Sequence, residues 1–225
     1  MKKKNRAPAR KVAELRRGKA GSKAAVPKRP PADRSKATIR RLRTELAKAQ
    51  ELVEKLQASA ETDFLLGILN RRGFERELNR SIAYIKRYHA SGALVVLDVD
   101  RLKPINDAFG HVAGDQVLKA VAVAVTSQVR ASDVVGRLGG DEFAALLWNL
   151  SETDARAKAA ALEYAIDRLS FVFRGHAVTA GASAGVAILG AHSEPAKALE
   201  EADRAMYVRK AQRRHERNGA APHDP

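Results

Sequence analysis

Residues 134–148 read Val134-Val135-Gly136-Arg137-Leu138-Gly139-Gly140-Asp141-Glu142-Phe143-Ala144-Ala145-Leu146-Leu147-Trp148. Short apolar runs at Val134 to Arg137 and Phe143 to Trp148 stand on either side of a double glycine, the pattern of a β-hairpin. A hairpin tip often needs positive φ, which Gly139 and Gly140 adopt without steric penalty. Their missing side chains also let a ligand lie against the backbone. Taken alone, two glycines followed by two acids describe a solvated turn. The surrounding pattern gives Asp141 and Glu142 more to do.

Working outward, helix and strand patterns alternate from residue 62 to 214. Apolar stripes predict helices over Arg72 to His89, Asp115 to Arg130, Thr153 to Leu169 and Pro195 to Arg213. A buried strand is expected from Ala93 to Val99, with further strands around Ala177 to Thr179 and Ala182 to Ile188. This order is that of an α+β palm, a mainly antiparallel sheet flanked by helices. Upstream, over residues 37–61, Ile39, Leu42, Leu46, Ala49, Val53, Leu56 and Ala60 step by alternating threes and fours. That is an a/d seam of about three heptads. It suits a short coiled coil between two copies, or one amphipathic helix packed on the domain. Residues 215–225 are expected to form a flexible tail.

The chain carries a formal charge of +15, and the first 36 residues hold 14 Lys and Arg against 2 acids, which is +12 of it. Basic character therefore belongs to a Pro-containing N-terminal tail expected to be disordered, and not to the folded body. Such a tail suits weak contact with nucleic acid or an anionic membrane, or serves only solubility. There is no cysteine, which excludes disulfides, thiolate nucleophiles and Cys-ligated zinc and fits a cytoplasmic protein. The apolar stretches Gly92 to Leu97 and Ala120 to Val125 are far shorter than the roughly 18–20 residues of a membrane span. No apolar segment follows the basic N-terminus, so it does not read as a secretory signal.

Asp98 ends an apolar strand, and Asp141 and Glu142 sit in a hairpin tip that is expected to pair beside it. Three carboxylates meeting in a half-buried place repel one another unless a cation joins them. An all-oxygen set suits Mg²⁺ or Mn²⁺, and Mg²⁺ is commonly shared with substrate phosphates, which implies a nucleotide. Beyond Asp98 run Lys103-Pro104-Ile105-Asn106-Asp107, Gly110-His111 and Gly114-Asp115. The Asn106 amide and Asp115 carboxylate complement the edge of a purine base. Asp115 also suits an N-cap. His111 reads as a structural hydrogen-bonding histidine and not as a base.

These blocks, in this order, resemble the GGDEF family of diguanylate cyclases. The resemblance runs from Asp63-Phe-Leu-Leu-Gly67-Ile-Leu-Asn70-Arg71 through Asp98-Val-Asp100, Lys103, Asn106, Gly114-Asp115 and Gly139 to Phe143. It continues to Ser183-Ala-Gly185-Val-Ala187 and Ala202-Asp203-Arg-Ala205-Met-Tyr207. It implies a nucleotidyl cyclase-like fold and the condensation of two GTP into cyclic di-GMP with release of two pyrophosphates. Asp98, Asp141 and the Val99 carbonyl would hold the metal, with Glu142 in support and Asp141 and Glu142 serving catalysis. Asn106 and Asp115 would read guanine. Lys210, Arg214, Lys103, the backbone at Leu102, and Gly139 and Gly140 would receive the nucleotide. The family works as a homodimer, one GTP on each domain.

Arg130-Ala-Ser-Asp133, with five residues intervening before Gly139, resembles the family's product-binding inhibitory motif, an arginine fork and a carboxylate suited to guanine. The chain departs from the family pattern at Leu66 (usually threonine), Leu102 (usually phenylalanine) and Arg213 (usually glycine). None removes a metal or guanine residue, so an active enzyme is expected. Two other readings stay open: a silent domain that senses GTP or cyclic di-GMP, and a nucleic-acid scaffold acting through the tail.

Overall fold

The computed structural model describes residues 32–219, so the basic tail expected over residues 1–36 lies almost wholly outside the described residues. The first helix, α1, runs from Ala32 to Glu61, starting five residues before the segment 37–61 expected to be helical. Its seam residues Ile39, Leu42, Leu46, Val53 and Leu56 are all exposed. No described helix is long and apolar enough to cross a membrane.

The body contains α2 (Arg71–Tyr88), β1 (Gly92–Val99), α3 (Leu102–Phe109), α4 (His111–Gln128), β2 (Val134–Gly139) and β3 (Glu142–Trp148). There follow α5 (Glu152–Asp167), β4 (Ser170–Phe173), β5 (His176–Thr179), β6 (Ala182–Leu189) and α6 (Pro195–Gly219). Four strands form one sheet in the order β2-β3-β1-β6, every neighbouring pair antiparallel. The α+β palm architecture is therefore the observed fold.

β1 is buried along its whole length because both faces of the sheet are covered. Val95, Leu97 and Val99 enter one core with residues of α3, α4 and α5. Leu94 and Val96 enter the other, with Phe74, Leu78, Ile82 and Ile85 of α2 and Ala198, Ala202 and Met206 of α6. Side chains alternate along a strand, so the same count assigns Asp98 to the α2 and α6 face. Gly185 lets α6 approach: a Cβ there would overlap the backbone of Ala202 and Met206.

Several boundaries differ from expectation. Leu102 to Phe109, for which no element was expected, is a helix that tolerates Pro104 in its first turn, where a missing N–H costs nothing. α4 begins at His111 with Gly110 as N-cap, so Asp115 lies in the second turn and caps nothing. His111 is exposed there. Ser170–Phe173 is an unforeseen strand that pairs with β5 through Arg174 and Gly175, both at positive φ, as a two-residue hairpin turn requires. α6 continues past Arg214 to Gly219, so residues 215–219 of the expected tail are helical, and residues 220–225 lie outside the described residues.

Candidate active site

The register of β1 against β3 places Asp98 directly opposite Glu142. Directly opposed residues share a face, so the two carboxylates point the same way. The Val99 N–H donates to the Asp141 carbonyl at 2.9 Å, which ties the end of β1 to the hairpin tip. The tip turns at Gly140 and Asp141, with φ of 45° at Gly140; of the two glycines only this one uses the left-handed region. A register shift between Arg137 and Gly139 bulges the approach to it.

Arginines brace this turn. Arg137 donates through Nε and Nη2 to the Gly140 carbonyl (3.0 and 2.6 Å) and through Nη1 to Asp63 Oδ2 (3.1 Å). Arg71 donates from Nε to the Leu138 carbonyl (2.7 Å) and reaches Glu142 Oε2 at 3.6 Å. The opening block that carries Asp63 and Arg71 docks along β2, where Arg137 N–H donates to the Leu69 carbonyl at 2.7 Å. Sequence reasoning recorded that block but gave Arg71, Arg137 and Asp63 no part in the site. For Asp63 and Arg71 the signal was a pair of charged residues within an otherwise largely apolar opening motif, while Arg137 stands inside β2.

Burial pushes the Asp98 carboxyl up from its ordinary pKa; the Lys210 ammonium bonded to it opposes the shift, and Asp141 and Asp100 add to it. Burial likewise raises Glu142, opposed by Arg71 and reinforced by Asp203, Asp98 and Asp141. Such mutually repelling carboxylates favour a divalent cation. Among the described residues no three His, Asp or Glu side chains gather closely enough to enclose a metal on their own. Asp98 and Asp141 are oxygen donors of the kind that suits a Mg²⁺-type ion, which commonly shares itself with phosphate and water.

Beside these acids opens a cleft of about 510 Å³ lined by Val99, Asp100, Arg101, Leu102, Lys103, Pro104, Asp141, Lys210 and Arg214. Arg101, at φ 65°, starts α3 without a side-chain cap. Unclaimed N–H groups of the first turn, with Lys103, Lys210 and Arg214, give the cleft the character of an anion site. Lys210 contacts Asp98 Oδ1, bridging the acidic and basic halves.

Asn106 and Asp115 lie next to this cleft, on α3 and α4, but do not line it. Asn106 is packed on Gly114, where a Cβ would collide with its amide. Its Oδ1 is buried there without a hydrogen-bond partner among the described residues. Gly139 and Gly140 stand exposed at the tip, also outside the cleft lining.

Arg130 and Asp133 belong to a different place. They sit at the Trp148 end of the hairpin, about 20 Å along β3 from Glu142 by strand rise. Asp133 accepts from Arg130 N–H (2.9 Å) and Trp148 N–H (3.1 Å), while Arg130 is exposed. The carboxylate orders a turn and leaves the guanidinium facing solvent.

Residues 60–216 match the family model described as "Diguanylate cyclase, GGDEF domain". Over 167 residues the chain is 35% identical to the probable diguanylate cyclase DgcE of Escherichia coli, which covers 74% of this chain and 15% of that protein. It is 38% identical over 181 residues to the diguanylate cyclase TpbB of Pseudomonas aeruginosa, covering 80% and 42% respectively. The chain thus spans less than half the length of these two relatives. Among solved structures, the coiled coil and GGDEF domain of DgcB from Caulobacter crescentus, in complex with c-di-GMP, superposes with a TM-score of 0.70 at 26% identity, covering 79% of this chain and 94% of that one. The GGDEF domain of TpbB superposes at 0.63 with 38% identity, covering 67% and 89%.

Proposed function

The chain belongs to the GGDEF family, and on that premise we propose that it is a diguanylate cyclase that condenses two GTP into cyclic di-GMP across a homodimer. The observation that carries the reading is the meeting of Asp98, Asp141 and Glu142 with the Lys210 and Arg214 cleft. A triphosphate needs both halves: cations and helix N–H groups for its oxygens, carboxylates for the ion that accompanies them.

Lys210, Arg214, Lys103 and the N–H groups at Arg101 and Leu102 hold the phosphates. Asn106 and Asp115 read the guanine edge. Asp98, Asp141 and the Val99 carbonyl would hold Mg²⁺ or Mn²⁺, which supplies charge neutralisation on the phosphate oxygens. Each GTP's 3′-hydroxyl oxygen bonds to the other's α-phosphorus as the bond to the β-phosphate oxygen breaks and pyrophosphate departs. The hydroxyl proton passes to the acidic cluster, within which Glu142 has its affinity for protons raised by burial. The second GTP arrives on another copy, and the exposed seam of α1 supplies a surface for pairing. Arg130 and Asp133 bind product and restrain synthesis from a distance.

Purified protein given GTP and Mg²⁺ is expected to yield cyclic di-GMP and pyrophosphate, separated by chromatography. A chelator or Asp141→Ala is expected to lower the rate by at least about 10³-fold, as loss of a principal charge-stabilising group does. Absence of product from protein stripped of bound nucleotide defeats this reading in favour of a silent sensor domain. Arg130→Ala is expected to raise the product concentration needed for half inhibition by about tenfold, the weight of a charge-assisted contact. An unchanged inhibition curve removes the regulatory assignment.

A further inference from the structure

α6 carries two rows of cations, each spaced four residues apart. Lys210 and Arg214 line the cleft. Arg209 and Arg213, each one residue earlier and so turned about 100° around the helix, reach the buried acids Glu163 and Asp100 and the more exposed Asp167 and Glu216. Arg209 forks onto Glu163, with Nε to Oε2 at 3.1 Å and Nη2 to Oε2 at 3.0 Å. Arg213 touches three carboxylates: Asp167 Oδ1 from Nη2 (2.6 Å), Glu163 Oε2 from Nη1 (3.5 Å) and Asp100 Oδ2 from Nε (3.5 Å). Its side chain is only 13% exposed, and those of Asp100 and Glu163 are 4% and 7%.

The carboxylates are themselves anchored. Glu163 Oε1 accepts the Ala184 N–H at 2.8 Å, and Asp100 Oδ1 accepts the Ser183 hydroxyl at 3.3 Å. The Asp100 N–H donates to the Gly181 carbonyl at 2.7 Å. Gly181 leaves the space: a Cβ there would lie 3.1 Å from Asp167 Oδ1 and 3.5 Å from both Arg213 Nη2 and Asp100 Oδ2. A buried ion cluster of this kind is a weak source of net stability, because desolvation offsets most of the attraction. It is strongly directional, since only a planar guanidinium reaches several carboxylates in fixed directions.

Both ends of the cluster adjoin the cleft. Arg213 precedes Arg214, and Asp100 lies between Val99 and Arg101, all of which except Arg213 line it. We propose that Arg213 is a positioning residue that locks the rotation of α6 against the β1–α3 turn, so that Lys210, Arg214 and the N–H groups starting α3 meet one triphosphate together. Arg213 touches no phosphate itself. The inference rests on the cyclase reading and adds to it a determinant of phosphate affinity absent from the motif residues.

The test compares the full chain with Arg213→Gln, Arg213→Lys and Asp167→Asn, each checked for folding by circular dichroism, with pyrophosphate release followed against GTP concentration. Arg213→Gln is expected to raise KM for GTP about tenfold with kcat changed less than about twofold, one charge-assisted contact's worth of binding. Arg213→Lys recovers part of that loss, and Asp167→Asn shifts KM in the same direction. A folded Arg213→Gln with unchanged KM, or with kcat lost at constant KM, overturns the proposal. Should Arg213→Gln not fold, unchanged KM in Asp167→Asn overturns it. Should the wild type make no product, the cyclase reading fails separately. The lock is then read by calorimetric titration with GTP and Mg²⁺, where equal affinities for wild type and Arg213→Gln overturn it.

Discussion

Gly114 has no side chain, and Asn106 occupies the room this leaves. A methyl group there must push the amide aside, since the neighbouring helices α3 and α4 are anchored by buried Leu102, Ile105, Val117 and Leu118. Gly114→Ala is therefore expected to raise KM for GTP by about tenfold or more while leaving circular dichroism unchanged, the cost of one misplaced polar contact to the base. A normal KM in this variant argues against Asn106 as a guanine reader. At this scale the sequence was most informative. Asp98, Asp141 and Glu142 are acids in or beside apolar segments, and such acids need a reason to be there. Arg71 and Arg137 were harder to see, since a surface arginine and one bracing a turn look alike until the fold brings the turn to them.

Elements show where local pattern suffices and where it does not. β1 and β3 are apolar runs bounded by polar turns, and the structure pairs them antiparallel across the middle of the sheet. α3 was hidden because proline and a run of polar residues resemble a loop, although proline in a first helical turn is well tolerated. β4 was hidden by its length of 4 residues and by an Arg174-Gly175 turn with little compositional contrast. The packing of α6 on β6 depends on Gly185, where a Cβ would overlap helix backbone. Gly185→Ala is expected to destabilise the protein by about 1–3 kcal/mol, the usual cost of overpacking, measured by urea unfolding. It is also expected to weaken GTP binding, because α6 carries Lys210 and Arg214. Full stability in this variant means the helix can retreat without loss.

For the whole molecule, the issue is how the proposed half-site would meet another. Ile39, Leu42, Leu46, Val53 and Leu56 expose a continuous apolar row on α1, each more than half exposed. A row with the heptad period is covered most simply by its own copy. Leu46→Lys is expected to shift the protein toward monomer in sedimentation and to make specific activity fall more steeply on dilution. Equal sedimentation and activity would place dimerisation elsewhere. The proposed product motif at Arg130 and Asp133 belongs to this scale too, since it lies at the opposite end of the hairpin from Asp141 and would reach the chemistry only through the arrangement of domains.

The sequence by itself determined the chemical inventory: the hairpin and its acids, the strand that presents Asp98, the continuous apolar run that buries β1 on both faces, and the heptad row. Those features follow from local periodicity and residue type, which survive without any knowledge of what packs against what. The family resemblance pointed to Lys210 and Arg214, but only the tertiary structure gave the physical reason that they, and not Arg209 and Arg213, line the cleft. Arg209, Lys210, Arg213 and Arg214 are equivalent by composition. The buried carboxylates Glu163 and Asp100, from distant parts of the chain, hold Arg209 and Arg213 inward and so turn Lys210 and Arg214 toward the acids of the hairpin.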